Sequence, residues 1–447
     1  MPILLCVVAV LSNFISLAQN SNRSRPNIIY VMVDDLGYGD FSCYGQKSFQ
    51  TPNIDAFTKS GVKFENAYSA APVCTPTRVA FMTGRYPARN EVGLREPLTS
   101  GAIDIDIGLS PETPTISSIL KRNGYETALF GKWHLGVREE FFPRKHGFDH
   151  FFGILSGAAD YFDHRSINRN LTHFFKSDLH VLYENDMPVE KVGYLTDLIT
   201  NYTTDFIAKK HDQPFFISVQ YTAPHWPWEA PGDQPSGDTI SLAETSSSDT
   251  YARMIRNLDQ NFGRILEAIR TAGLAESTLI ILTSDNGGDR LSSMGPFKGG
   301  KLQLWEGGIR VPAAAVWPGV ISPQSVSMQP IITMDWSVTI ADAANCQGLD
   351  SLHPDGMSLL PLFLDSAAKI IPRKFYWRIS NRGRQEALRD GDWKYLRTTQ
   401  GECLFNLAKD PYEADNLKDK MPQKFRKLKS AFFSMDGEML APVVLNR

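Results

Sequence analysis

Three stretches of the chain are apolar without alternation, and each runs into a polar cluster. Asn27 to Val33 (NIIYVMV) ends at Asp34-Asp35, Phe215 to Tyr221 (FFISVQY) leads to Pro224-His225, and Thr278 to Thr283 (TLIILT) leads to Asp285-Asn286. Continuous apolar runs of this length predict strands buried on both faces, as in a parallel sheet. Open parallel sheets present functional groups just beyond the carboxyl ends of their strands, so the three clusters predict one shared site. Helical periodicity lies between the runs. Tyr251 to Ala272 is apolar at Met254, Ile255, Leu258, Phe262, Ile265, Leu266 and Ile269 and stops at Gly273, while Thr115 to Asn123 follows Pro114 and stops at Gly124. Buried strands alternating with amphipathic helices predict an α/β fold, a large, mainly parallel mixed sheet sandwiched by helices. The polar stretch Pro231 to Asp249 predicts a loop or mobile lid.

From about Ile370 the pattern changes. Lys374–Arg378, Glu386–Arg389 and Trp393–Arg397 predict antiparallel strands, the last two joined by a tight turn at Asp390-Gly391-Asp392. Leu404–Leu407 and a final helix over Pro422–Met435 complete a smaller unit. We therefore expect a large domain over residues 25–365 and a C-terminal subdomain over 366–447, an antiparallel sheet plus helix. The apolar stretch Ile3 to Leu17, with small residues at Ser16 and Ala18, predicts a cleaved export signal over residues 1–18. No later apolar run is long enough to span a membrane. A formal net charge of −3 gives no reason to expect nucleic acid as a partner. Beyond the signal stand Cys43, Cys74, Cys346 and Cys403, too few for a disulfide framework and consistent with free thiols or at most one bridge. Asn22, Asn170 and Asn201 head N-x-S/T sequons.

Candidate chemistry sits at the strand ends and in four further motifs. Adjacent carboxylates at Asp34-Asp35 repel one another unless a cation lies between them, and Asp285-Asn286-Gly287-Gly288 adds a carboxylate and an amide oxygen. Such hard oxygen ligands suit Ca²⁺ or Mg²⁺. Cys74-Thr75-Pro76-Thr77-Arg78 is followed by Thr83-Gly84-Arg85-Tyr86-Pro87. The others are Gly131-Lys132-Trp133-His134-Leu135-Gly136, Ala223-Pro224-His225-Trp226-Pro227-Trp228 and Lys298-Gly299-Gly300-Lys301 with Glu306-Gly307-Gly308-Ile309-Arg310. In this order, from residue 27 to about 417, these motifs resemble the formylglycine-dependent, arylsulfatase-like sulfatases of the alkaline phosphatase superfamily. The C-terminal R-D-G-D-W-K and L-F-N-L segments resemble the small subdomain of the same family.

The resemblance implies a sulfuric ester hydrolase. Cys74 would be oxidised by a formylglycine-generating enzyme to a hydrated aldehyde, one hydroxyl of which attacks sulfur while deprotonation of the other expels sulfate. A thiolate would instead leave a thiosulfate ester with no easy exit. Asp34, Asp35, Asp285, Asn286 and modified Cys74 would ligate Ca²⁺, with Mg²⁺ as the alternative. Arg78 would hold the hydrate and anchor the metal carboxylates, Lys132 would contact sulfate and hydrate, and His134 would be the base. His225 would protonate the leaving alcohol. Lys301 would bind sulfate, with Lys298 as the alternative; Leu302 stands where the resemblance has glycine. Ser156 is a further candidate sulfate contact, and Asp40 and Asp289 look structural. The expected substrate is a sulfated carbohydrate, for which Trp226, Trp228, Tyr161 and Trp377 offer stacking faces and Asp160, His164 and Arg165 polar contacts, unless these residues pack loops. The expected location is secreted or periplasmic, the lysosome being left open. Two other readings stay open: a phosphate or phosphonate ester hydrolase of the same superfamily, and a glycan-binding pseudoenzyme in which Cys74 is never converted.

Overall fold

The computed structural model describes residues 25–99, 104–165, 181–233, 246–365, 367–380 and 383–443. The expected signal, Asn22 and Asn170 lie outside the described residues, as does most of the predicted 231–249 loop. The strands in chain order are β1 (Asn27–Val33), β2 (Val62–Phe64), β3 (Ala67–Tyr68), β4 (Glu126–Lys132), β5 (His150–Ile154), β6 (Leu182–Glu184), β7 (Met187–Pro188) and β8 (Phe215–Gln220). They continue with β9 (Thr278–Ser284), β10 (Ala313–Val316), β11 (Ser325–Ser327), β12 (Ile331–Ile332), β13 (Lys374–Ile379), β14 (Gln385–Asp390), β15 (Trp393–Thr398) and β16 (Gly401–Asn406). Ten of them form one sheet in the order β11-β2-β10-β9-β1-β8-β4-β5-β6-β7. The heart of that sheet, β9-β1-β8-β4-β5, is parallel throughout. Antiparallel pairing enters at β10 on one side and β6 on the other. The large mixed, mainly parallel sheet expected from the sequence is therefore present.

Burial on both faces explains why β1 reads as an unbroken apolar run: every one of its residues is buried. Ile29, Val31 and Val33 join one core layer with residues of the helices Leu195–Ile207 and Ser248–Thr271, such as Ile199, Ile255 and Phe262. Ile28, Tyr30 and Met32 face the opposite layer, with Phe81, Ile116, Leu120, Trp336 and Ile340. These alternate faces follow from the period of two along a strand. The amphipathic helix begins at Ser248, capped by the Ser247 hydroxyl, which accepts from the Thr250 N–H.

The four strands β13-β14-β15-β16 form a separate antiparallel sheet. The helix Pro422–Asp436 joins it through Leu428 and Phe432, which share a core with Tyr376, Tyr395 and Leu404. The same core includes Val73, Cys74 and Ala80, so the small sheet lies directly against the segment carrying Cys74. Trp377 is buried there and donates its indole N–H to the Ser69 carbonyl at 2.8 Å. A buried charge cluster adds to this junction. The Lys394 ammonium, with no exposed side-chain surface, lies 2.9 Å from Glu306 and 2.8 Å from Glu413. Cys43, Cys74, Cys346 and Cys403 are all free thiols. The Asn201 sequon lies inside the helix Leu195–Ile207, with Thr203 donating its hydroxyl to the Ile199 carbonyl. Among the described residues, no helix is long and apolar enough to cross a membrane.

Candidate active site

Parallel register brings the strand ends together. Val33 pairs with Ser284, so the residues that follow, Asp34-Asp35 and Asp285-Asn286, emerge side by side although 250 positions separate them in the chain. The Asp35 N–H donates to Asp285 Oδ1 at 3.1 Å, and the Asn286 amide donates to Asp35 Oδ1 at 2.7 Å. Asp35 takes a left-handed backbone conformation (φ 58°), sparsely populated by residues other than glycine. Oxygens of Asp34, Asp35 and Asp285 all lie within 4.8 Å of one another, and all three residues are buried. Asp34 Oδ1 and Asn286 Oδ1 are buried acceptors without a hydrogen-bond donor. Buried acceptors are rarely left so, and a convergent set of hard oxygens with free lone pairs fits a divalent cation such as Ca²⁺ or Mg²⁺.

Three cationic side chains border these carboxylates. Lys132, the last residue of β4, places Nζ 2.5 Å from Asp34 Oδ2. Lys301 is ion-paired with Asp35. Arg78 donates to Asp285 Oδ2 at 2.9 Å, to Gln220 Oε1 at 2.9 Å and to the Lys132 carbonyl at 3.1 Å. Burial alone would raise Asp34, but Lys132, His225 and Arg78 together hold it well below the usual carboxylate range. Burial and then the Asp34 charge push Asp285 upward. Burial opposes the charge on Lys301, yet Asp35 together with Cys74 and Asp34 outweighs it and the ammonium's pKa is raised. Cys74 is the first residue of the helix Cys74–Thr83, all of which is buried. Its side chain therefore lies at the positive end of a helix dipole, a favourable place for anionic oxygens. Burial raises the pKa of its thiol, which disfavours the reactive thiolate.

Two histidines flank the cluster with their tautomers set by carbonyl partners. A carbonyl only accepts, so His134 Nε2 donates to Leu98 O at 2.9 Å, and its buried Nδ1 keeps a lone pair without a partner. Burial and then Lys132 drive His134 well below the ordinary imidazole range, which favours the neutral ring. His225 Nδ1 donates to the Trp226 carbonyl at 2.5 Å, which leaves Nε2 facing Asp35 at 3.5 Å. Burial and then Lys301 lower His225 to about 4.

The model of the Sulfatase family matches residues 26–346, which contain the whole of this cluster. The chain belongs to the sulfatase family. It is 34% identical over 368 residues to rat (Rattus norvegicus) N-acetylgalactosamine-6-sulfatase, covering 79% of this chain and 68% of that protein. It is 33% identical over 415 residues to human (Homo sapiens) arylsulfatase A, covering 86% and 77%. Among solved structures it is similar to Ps i-CgsB in complex with k-i-k-neocarrahexaose, with a TM-score of 0.84, 29% identity and 95% of each chain covered.

In this sulfatase the structure also distinguishes between residues that the motifs left open. Lys301 reaches the carboxylates, whereas Lys298 lies over the Trp305 ring at 3.6 Å. Leu302, where glycine was expected, does adopt a left-handed backbone (φ 67°), so the expectation of glycine has a conformational reason. Ser156 donates its hydroxyl to Ala158 O within its own loop (3.2 Å). The neighbouring Gly157 is the residue packed on the cluster: a Cβ there would stand 2.6 Å from the His134 ring. Trp377 and Tyr161 are core residues and present no stacking face; the Tyr161 hydroxyl donates to the His225 carbonyl at 2.9 Å. Asp160 accepts from backbone N–H groups of Phe162, Asp163 and His164 and so shapes its loop, and His164 bonds the Gly193 carbonyl. Trp228 is buried beneath the Arg290 guanidinium at 4.8 Å, while Trp226 is only partly buried. Asp40 is structural, accepting from the Gly37 and Ser293 N–H groups and the Tyr251 hydroxyl. Sequence reasoning missed Gln220 and the Leu98 carbonyl. A glutamine closing a buried apolar strand was the available signal for the first; a backbone acceptor leaves none.

Proposed function

We propose that this sulfatase removes sulfate from a sulfated carbohydrate, using formylglycine derived from Cys74 and a divalent cation, Ca²⁺ with Mg²⁺ as the alternative. The observation that carries the reading is the convergence of three buried carboxylates and the Asn286 amide oxygen beside a helix-N-terminal Cys74, with Asp34 Oδ1 and Asn286 Oδ1 lacking a hydrogen-bond donor among the described residues and Lys132, Lys301 and Arg78 around them. Asp34, Asp35, Asp285, Asn286 and the converted residue 74 would hold the cation, which would polarise the sulfate oxygens and lower the pKa of a bound hydroxyl. Converted, residue 74 would supply a hydrated aldehyde as nucleophile.

The chain's own residues then divide the remaining work. Lys132, Lys301 and Arg78 bind and neutralise the sulfate oxygens, in a buried site where fixed charges act strongly. The lone pair on His134 Nδ1 takes the proton whose removal releases sulfate. His225 Nε2, when protonated, delivers a proton to the leaving alcohol, help of a kind typically worth about 10²–10⁴-fold. The negative charge of a bound sulfate ester favours that protonated form. The carbohydrate reading is supported by the names of the relatives, one acting on an N-acetylgalactosamine-6-sulfate and one bound to a neocarrahexaose. We further propose export to a secreted or periplasmic location, maturation by a formylglycine-generating enzyme, and a division into a catalytic domain at 25–365 and a subdomain at 366–447.

The test is sulfate release across a panel of carrageenans, glycosaminoglycans and a small aryl sulfate, with an aryl phosphate alongside. Mass spectrometry of the peptide carrying residue 74 accompanies it. Release from a glycan by protein carrying the aldehyde is expected. Activity confined to aryl esters removes the carbohydrate, phosphate preferred by orders of magnitude removes the sulfate chemistry, and full activity with an intact thiol removes the nucleophile.

A further inference from the structure

The segment that carries Lys301 is held from three directions. The Lys301 N–H donates to Gly288 O at 2.9 Å, in the turn that follows Asp285-Asn286. The Leu302 N–H donates to Pro72 O at 2.8 Å, two residues before Cys74. The third hold comes from the small sheet. Gln385, the first residue of β14 and almost fully buried, donates from Nε2 to Leu302 O at 2.9 Å and accepts from the Leu304 N–H at 3.1 Å on Oε1. One amide thus closes both ends of a three-residue arc whose first member has the left-handed backbone that a leucine disfavours. Leu302 also packs its side chain against the core of the small sheet.

A flexible lysine placed one residue before a conformationally disfavoured leucine needs that backbone held if its ammonium is to meet a sulfate at a fixed point. Without the clamp, relaxation of Leu302 toward an ordinary φ rotates the peptide on which Lys301 hangs. We propose that Gln385 is a positioning residue that sets the sulfate-binding geometry of Lys301 from the C-terminal sheet. The inference rests on the reading of Lys301 as a sulfate-binding group. It makes the small sheet a working part of the site and not only a cover for it.

The experiment compares Lys301→Ala, Gln385→Ala, Leu302→Gly and the Gln385→Ala/Leu302→Gly double variant in the mature enzyme. Each is assayed for kcat and KM and for inhibition by inorganic sulfate. Gln385→Ala is expected to lose about 10- to 100-fold in kcat/KM, since a displacement near 1 Å costs rates of that order, and to weaken sulfate inhibition as Lys301→Ala does. Adding Leu302→Gly, which removes the conformational penalty, is expected to restore most of both. If Gln385→Ala does not fold, Gln385→Asn, whose shorter amide cannot span both backbone groups, carries the same expectations. Wild-type kcat/KM and sulfate inhibition in the Gln385 variant, beside a crippled Lys301→Ala, overturn the inference alone. A silent Lys301→Ala overturns the reading of the site beneath it. A loss in Gln385→Ala that Leu302→Gly leaves unrepaired assigns Gln385 to folding only, and also overturns the inference.

Discussion

Replacing Lys394 by methionine tests the junction between the large and small sheets. Lys394 has no exposed side-chain surface and lies within 2.9 Å of Glu306 and 2.8 Å of Glu413. Methionine keeps most of the volume and removes the charge, leaving two buried carboxylates without the ammonium between them. Breaking a buried pair from one side typically costs about 3–5 kcal/mol. The Tyr68 hydroxyl donates to Glu306 at 2.6 Å and the Glu306 N–H to Glu413 at 2.6 Å, so both acids remain solvated by donors and the lower half of that range is expected. The control is Lys420→Met, whose partner Asp415 and itself are mostly exposed; surface pairs contribute about 0–1 kcal/mol. Urea unfolding followed by tryptophan fluorescence reads both, and equal, small shifts in the two variants would refute the argument. The pH dependence adds a sign. Burial raises Glu413 to about 7, against 4.5 for a free glutamate, with Lys394 opposing and Glu306 reinforcing. The folded state therefore binds the extra proton more tightly between those values. This group's contribution is fully present below pH 4.5 and falls as pH rises through about 7. Glu413→Gln, which mimics the protonated form, is expected to flatten the stability profile over that window.

Three further outcomes are expected. Arg78→Lys cannot reproduce the bonds to Asp285, Gln220 and the Lys132 carbonyl together, and should cost about 10²–10³ in kcat with the fold retained by circular dichroism. Chelation should abolish turnover and lower the unfolding temperature, and restored Ca²⁺ at about 100 times its Kd should return roughly 2.7 kcal/mol of stability. If His225 protonates the leaving group, His225→Asn should slow unactivated alkyl or sugar sulfates by about 10²–10⁴ and spare aryl sulfates with acidic phenols. An equal loss on both substrate types assigns His225 another task.

Much of the fold was legible because buried parallel strands leave a plain trace. The runs at Asn27, Phe215 and Thr278 are apolar on both faces, and all three are neighbours at the centre of the sheet. β4 was harder: its Gly131-Lys132 end interrupts the apolar run, and a motif stood where a strand was. β2, β10 and β11 are too short for a period to register, so the edges of the sheet had to come from pairing between distant segments. The candidate ligands and cations were readable from their motifs. Their support was not: Gln220, Leu98 and Gln385 act through individual hydrogen bonds, those of Leu98 and Gln385 involving backbone groups, that no spacing rule encodes. The aromatic residues mark the opposite failure. A tryptophan in a strand looks the same on paper whether it faces a sugar or, like Trp377, the buried Ser69 carbonyl ahead of the Cys74 helix.

The central position of β1 has a consequence for synthesis. Among the described strands it is made first, yet its two neighbours, β8 and β9, start 188 and 251 residues later, at Phe215 and Thr278. Until they arrive, seven residues destined for full burial have no sheet to enter, and pairings of such long sequence separation form slowly. Exposed apolar segments of this kind are prone to aggregation while they wait, and Asp34-Asp35 meets Asp285-Asn286 only once β9 has paired with β1.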